Sequence, residues 1–180
     1  MTLQARHPSR LHHTAYVTRD LEATRKFYED LIGLPLVATW CEADELFGAV
    51  RTYCHTFFEL GDGSALAFFQ FEKPSDQELF GPKLPPTPFH HIALNVDRET
   101  QDGIEQRLRA AGHSEPGMYV LEHGYCRSLY VQDPNGMLVE FTWDNPEAVT
   151  PEATRSRRAQ AHGELKRWLA GHRDSNNTFR

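Results

Sequence analysis

Cysteine is scarce in this chain. Cys41, Cys54 and Cys126 are an odd set without Cys-x-x-Cys spacing, which argues against a disulfide framework or a zinc ribbon and reads as reduced thiols. Long hydrophobic runs are missing as well: nothing approaches the roughly 20 apolar residues that span a bilayer, and residues 1–10 are too polar for a secretory signal. A cytoplasmic protein with no membrane partner is expected. A basic surplus is also lacking, since 19 Lys and Arg face 25 Asp and Glu, for a net charge of −6. Seven of those basic and three of those acidic residues fall in 151–180, so the tail carries +4 and the body −10. An acidic body argues against nucleic acid as partner, because phosphate binding needs a basic face. Arg155, Arg157 and Arg158 read instead as part of a solvated tail helix docking on an acidic body.

The most informative feature present is a repeat. His12-His13-Thr14-Ala15-Tyr16-Val17 and His90-His91-Ile92-Ala93-Leu94-Asn95-Val96 open the two halves with one His-His-x-Ala pattern. After the first, Leu21, Phe27, Tyr28, Leu31 and Ile32 space as an amphipathic helix stopped by Gly33. After the second, Ile104 and Leu108 do the same before Gly112. Strand-type runs follow at 34–39, 51–60 and 65–71, and again at 117–121, 128–132 and 138–143. The expected fold is α+β: two tandem β-α-β-β-β modules, 1–80 and 89–146, with a proline-rich linker at 81–88 and a helical tail at 147–180. With 180 residues, 39% of them hydrophobic, the chain suits one domain of two such modules, spanning about 10–144.

Strand periodicity places His13 and Ala15 on one face and His12, Thr14 and Tyr16 on the other. His91 and Ala93 are likewise separated from His90, Ile92 and Leu94. The second histidine of each doublet is the better ligand candidate, because the alanine that follows on its face leaves room. Asp133-Pro134-Asn135-Gly136 reads as a hairpin turn, with Glu140 just inside the second strand. Two neutral imidazoles and a carboxylate in a β-lined cavity suit a first-row divalent metal and leave positions open for substrate.

From about Arg10 to Trp143 the chain resembles the vicinal oxygen chelate superfamily, which includes glyoxalase I, methylmalonyl-CoA epimerase, fosfomycin resistance enzymes and type I extradiol dioxygenases. The resemblance implies curved mixed sheets around a metal held by His13, His91 and Glu140. Aligning Pro74 with Pro146 puts Phe68 opposite Glu140. The fourth ligand of glyoxalase I and the epimerase would then be absent, and a slip of two residues would bring Gln70 there instead. Ala15 stands where fosfomycin enzymes carry a hydroxyl residue, and Asp144, Asn145 and Glu147 supply no cation for a phosphonate.

His123, Leu129-Tyr130, Pro134, Gly136 and Glu140 resemble the extradiol pattern, with Leu121 departing from it. This implies Tyr130 on a substrate oxygen and His123 lining the pocket. Ser64 stands where those enzymes place an acid-base histidine, so either His55 on the neighbouring strand substitutes or the acid-base chemistry differs. Phe57, Phe68 and Phe69 are candidates to shield the site from water. The resulting expectation is an Fe(II) enzyme, with Mn(II) or Zn(II) as alternatives, that cleaves a small catechol or vicinal diol with O2 and acts as a homodimer. The alternatives are a metal-dependent isomerase, epimerase or lyase using Gln70 or Glu59 as ligand or base, and a drug-sequestering binding protein without turnover.

Overall fold

The computed structural model describes residues 7–84 and 87–177. It divides into two compact units: residues 1–90 with 132–137, and residues 91–131 with 138–180.

The first unit holds β1 (His13–Val17), α1 (Leu21–Arg25), a π-helical continuation (Lys26–Ile32), β2 (Leu36–Leu46), β3 (Ala49–Glu59), β4 (Ala65–Phe71) and α2 (Pro74–Phe80). Its sheet order is β1-β4-β3-β2, with β1 parallel to β4 and the other described pairings antiparallel. The second unit contains β5 (His91–Asn95), α3 (Arg98–Ala110), β6 (Met118–Glu122), β7 (Cys126–Gln132), β8 (Leu138–Asp144) and α4 (Pro151–Leu169). Its order, β5-β8-β7-β6 with β5 parallel to β8, repeats the first. The duplicated β-α-β-β-β modules and the C-terminal helix are therefore present as the sequence implied. No helix among the described residues is long and apolar enough to cross a membrane.

Helix entry follows the capping chemistry. The Asp20 carboxylate accepts from the backbone of Glu22 and Ala23, and Asp97 accepts from Thr100. The first helix departs from the expected α geometry. Arg25 reaches Glu22, Glu29 and Asp30, and the Gly33 amide donates to the Tyr28 carbonyl five residues back at 3.0 Å. The wider turn brings Phe27, Tyr28 and Ile32 into the core together. Gly33, at φ 96°, then ends the helix in the left-handed region.

The second departure is the length of β2, eleven residues where the sequence suggested a strand at 34–39. Residues 40–46 carry no hydrophobic alternation, and their strand conformation comes from pairing with β3 down to Leu46 and Ala49. The two-residue loop between them, Phe47-Gly48, has positive φ at both positions (51° and 78°), the twist that suits a tight hairpin. Two acidic side chains of the hairpin, Glu42 and Asp44, accept from the Tyr53 hydroxyl.

Alternation decides what is buried. In the first unit, Leu66 and Phe68 of β4 and Phe58 of β3 turn toward Tyr28, whose ring centroid lies 4.9 Å from that of Phe68 and 5.6 Å from that of Phe58. In the second, Ile104 and Leu108 of α3 are buried with Leu129, Val131, Val139 and Phe141. There Gln101 is fully buried and its amide donates to the carbonyls of Arg127 and Phe141. Phe68→Ala should cost about 3–5 kcal/mol, the usual cost of truncating a buried phenylalanine. A denaturant titration that finds less than about 1 kcal/mol would remove Phe68 from the core.

Candidate metal and substrate site

Cross-strand partners share a sheet face, so the strand register assigns the functional side chains. In the first unit His13 pairs with Ala65, Ala15 with Ala67, Phe57 with Ala67 and His55 with Phe69. His13, His55, Phe57 and Phe69 consequently share the face opposite the helix. Ring centroids confirm the grouping: His13 lies 5.7 Å from Phe57 and 6.3 Å from His55, and His55 stacks on Phe69 at 3.6 Å. Trp40 of β2 extends this wall, 5.0 Å from Phe57. His13 is oriented by a 2.7 Å hydrogen bond between its Nδ1 and the Nδ1 of His12.

His55 is buried, and its Nε2 has no hydrogen-bond partner. Burial, with the neighbouring His13, holds its pKa below the usual imidazole value. It is therefore a neutral imidazole with one nitrogen uncommitted, enclosed by aromatic rings.

The second unit repeats the construction with different chemistry. His91 pairs with Leu138 and Ala93 with Glu140, which puts His91 and Glu140 on one face. The His91 Nε2 lies 3.0 Å from the Glu140 Oε2. Tyr130, on the neighbouring β7, meets the His91 ring edge to face at 5.7 Å. Its hydroxyl lies 3.4 Å from the His123 Nε2. Burial and the charge of Glu140 push the Tyr130 phenol up to about 12. Tyr119 of β6 stacks on Tyr130 at 4.9 Å and is itself shifted upward by burial and Glu140.

The structure thus gathers His91, Glu140, Tyr130 and His123 in one unit, and His13 with His55 in the other. Among the described residues no three His, Cys, Asp or Glu side chains are grouped as a single metal would need. Two residues were missed by the sequence reading, Tyr119 and Trp40. Their strands have weak alternation, and only the register shows which face they occupy.

The expectation for Phe68 is corrected. Because Ala93 pairs with Glu140 and Ala15 with Ala67, the counterpart of Glu140 in the first unit is Ala67. Phe68 pairs with Tyr16, faces the core and corresponds to the buried Phe141. Matching the two prolines slipped the alignment by one residue, and one residue exchanges the faces of a strand. Gln70 shares the Phe68 face, where its Oε1 accepts from the backbone amide of Leu21 at 2.9 Å. Neither residue is on the His13 face.

Residues 10–141 match the model of the Glyoxalase/Bleomycin resistance protein/Dioxygenase superfamily, and the chain belongs to that superfamily. It is 28% identical over 138 residues to the uncharacterized protein YwbC of Bacillus subtilis, covering 73% of this chain and 95% of YwbC. A shorter match, 34% over 64 residues, is to the putative ring-cleaving dioxygenase MhqA of the same organism. It covers 35% of this chain and 20% of MhqA. Among solved structures, a glyoxylase/bleomycin resistance protein/dioxygenase domain from Frankia sp. EAN1pec aligns with TM-score 0.58 at 16% identity, covering 77% of this chain and 94% of that domain. The fosfomycin resistance protein FosX from Listeria monocytogenes aligns at 0.55 and 21%, covering 78% and 98%. These structures share the fold.

Replacing a buried imidazole that has an unpaired nitrogen by a ring that keeps the stack removes a desolvation cost of about 1–3 kcal/mol. His55→Phe should therefore raise the denaturation midpoint while lowering any activity that uses His55. A lowered midpoint would show that Nε2 is partnered in solution.

Proposed function

We propose that the chain is a divalent-metal-dependent ring-cleaving dioxygenase of the extradiol type, acting with O2 on a small catechol or vicinal diol. The observation that carries this reading is the 3.0 Å spacing of the His91 Nε2 and the Glu140 Oε2 on one face, with the Tyr130 hydroxyl and His123 beside them. An imidazole nitrogen and a carboxylate oxygen this close together would be able to hold one divalent ion, which takes such ligands at about 2.0–2.2 Å. An imidazole nitrogen and a carboxylate oxygen also suit the first-row divalent metals that serve oxygenases.

The repeat and the superfamily resemblance, and not a grouping of side chains among the described residues, name His13 as the third donor beside His91 and Glu140. Iron(II) is the ion favoured, with manganese(II) and zinc(II) as alternatives. FosX has been solved with Mn(II), which shows that this fold accommodates such an ion. When bound, the metal supplies a Lewis-acidic centre with positions open to adjacent substrate oxygens and to O2.

The remaining roles belong to the chain's own side chains. Tyr130, held neutral by its raised pKa, donates a hydrogen bond to a substrate oxygen. His123 lines the same side. His55, with Nε2 uncommitted, accepts a proton from the substrate hydroxyl and returns it later, a role that suits a neutral imidazole. Phe57, Phe69 and Trp40 exclude water. The enzyme is read as cytoplasmic and homodimeric, with small molecules as its partners. The MhqA match supports ring cleavage over the segment it covers.

A glyoxalase-type isomerase, epimerase or lyase is disfavoured. The position matching Glu140 holds Ala67, and Gln70 is engaged with the Leu21 amide on the opposite face.

Elemental analysis of anaerobically purified protein should find one metal per chain, with iron giving oxygen uptake on a catechol panel. His13→Ala, His91→Ala and Glu140→Gln should each lose the metal with the fold retained. Retention of full metal content in all three variants would overturn the site. Tyr130→Phe should keep the metal and lower turnover about tenfold, the kinetic equivalent of one hydrogen bond of about 1.4 kcal/mol to a developing charge. Unchanged turnover on the true substrate would reduce Tyr130 to a packing residue.

A further inference from the structure

Cys41 and Cys54 fall on neighbouring strands, and the β2–β3 register makes them direct cross-strand partners. Directly opposed residues of an antiparallel pair have Cα atoms about 4.5 or 5.5 Å apart, depending on their place in the ladder. Both values lie inside the range of about 4.4–6.8 Å that a disulfide bridges without backbone movement. Cys41 is exposed and Cys54 half-buried. Both line a cavity of about 280 Å³ with Leu21 and Gln70, and Gln70 is the cross-strand partner of Cys54 on the side of the sheet turned away from His13. The third thiol, Cys126, is buried in the other unit, 3.8 Å from the Ser128 hydroxyl, and serves as an internal control.

We propose that Cys41 and Cys54 form a reversible oxidation site for small hydroperoxides, closing to an intramolecular disulfide that fastens β2 to β3. The exposed Cys41 attacks first, as its thiolate. Its sulfur displaces one oxygen of the peroxide bond, giving a sulfenic acid and the reduced hydroxyl product. The Cys54 sulfur then displaces that hydroxyl as water and the disulfide forms. Two thiols and one hydroperoxide thus yield one disulfide, one water and one alcohol, or a second water when the oxidant is hydrogen peroxide. Burial, with Cys41 beside it, pushes the Cys54 thiol up, which disfavours Cys54 as the first nucleophile.

The ladder gives the location a consequence. The adjoining cross-strand pair is Trp40 with His55, so the link lies one residue from the aromatic wall of the His13 face. Oxidation locks the strand pair that carries this wall, and a dithiol reductant releases it.

The full chain is treated with hydrogen peroxide, quenched with iodoacetamide and mapped by mass spectrometry. Two of the three cysteines should escape alkylation, a peptide linking Cys41 to Cys54 should appear, and Cys126 should remain alkylated. The melting temperature should rise, because the bond closes the hairpin in the unfolded chain, and dithiothreitol should reverse both changes. In Cys54→Ser the Cys41 sulfenic acid should accumulate and be trapped by dimedone, and in Cys41→Ser residue Cys54 should stay alkylatable. Oxidation of Cys41 to the sulfinic acid with no linked peptide overturns the proposal. So does a Cys41 disulfide between two chains, or three alkylatable thiols after peroxide.

Discussion

Each four-stranded sheet depends on one parallel pairing, first strand against fourth, because only that pairing sets which face every other side chain occupies. His13 opposite Ala65 in one unit and His91 opposite Leu138 in the other fix the registers. With period-2 alternation, the helix-facing set then becomes core, and the opposite set carries the exposed His13 and His91 together with the buried His55 and Glu140. Phe68 and Phe141 are core for the same reason that His13 and His91 are not. The aromatic packing around Tyr28 and the buried Gln101 act as restraints on this register, since a one-residue slip would expose the core and bury imidazoles.

Much of this was legible in the sequence. A repeated His-His-x-Ala phrase, two capped helices and a strong hairpin turn were enough for the module order, the duplication and the superfamily. His91 was legible from the repeat and Glu140 from its place just after the Asp133-Pro134-Asn135-Gly136 turn, whereas Tyr130 and His123 came from the resemblance to the extradiol pattern. The register between strands distant in sequence was not legible. It is decided by packing of the helix against the sheet, and matching prolines outside the strands is no substitute, which is why Phe68 was placed on the wrong face. Two other features escaped for local reasons. The π-helical segment depends on the competition of Phe27, Tyr28 and Ile32 for one core, and the outer half of β2 is held by pairing where its own sequence has no strand pattern.

The two exposed faces differ in chemical character although their scaffolds match. The first unit offers an imidazole among aromatic rings, with Trp40, Phe57 and Phe69 around His55. The second offers a carboxylate beside an imidazole, with two phenols held neutral by burial and by that carboxylate. The first set resists water, and the second concentrates hydrogen-bond donors around a negative charge. A duplicated fold makes this division inexpensive, because either face can change without disturbing the core behind it.

Ala67 and Glu140 occupy equivalent places in the two halves. In the genetic code alanine and glutamate are separated by the middle base of one codon, so a single nucleotide change is enough to exchange them. The step between a half that offers a carboxylate and a half that offers none is as short as mutation permits. Descendants of one duplicated ancestor could cross it repeatedly and in either direction while the sheet order stayed fixed.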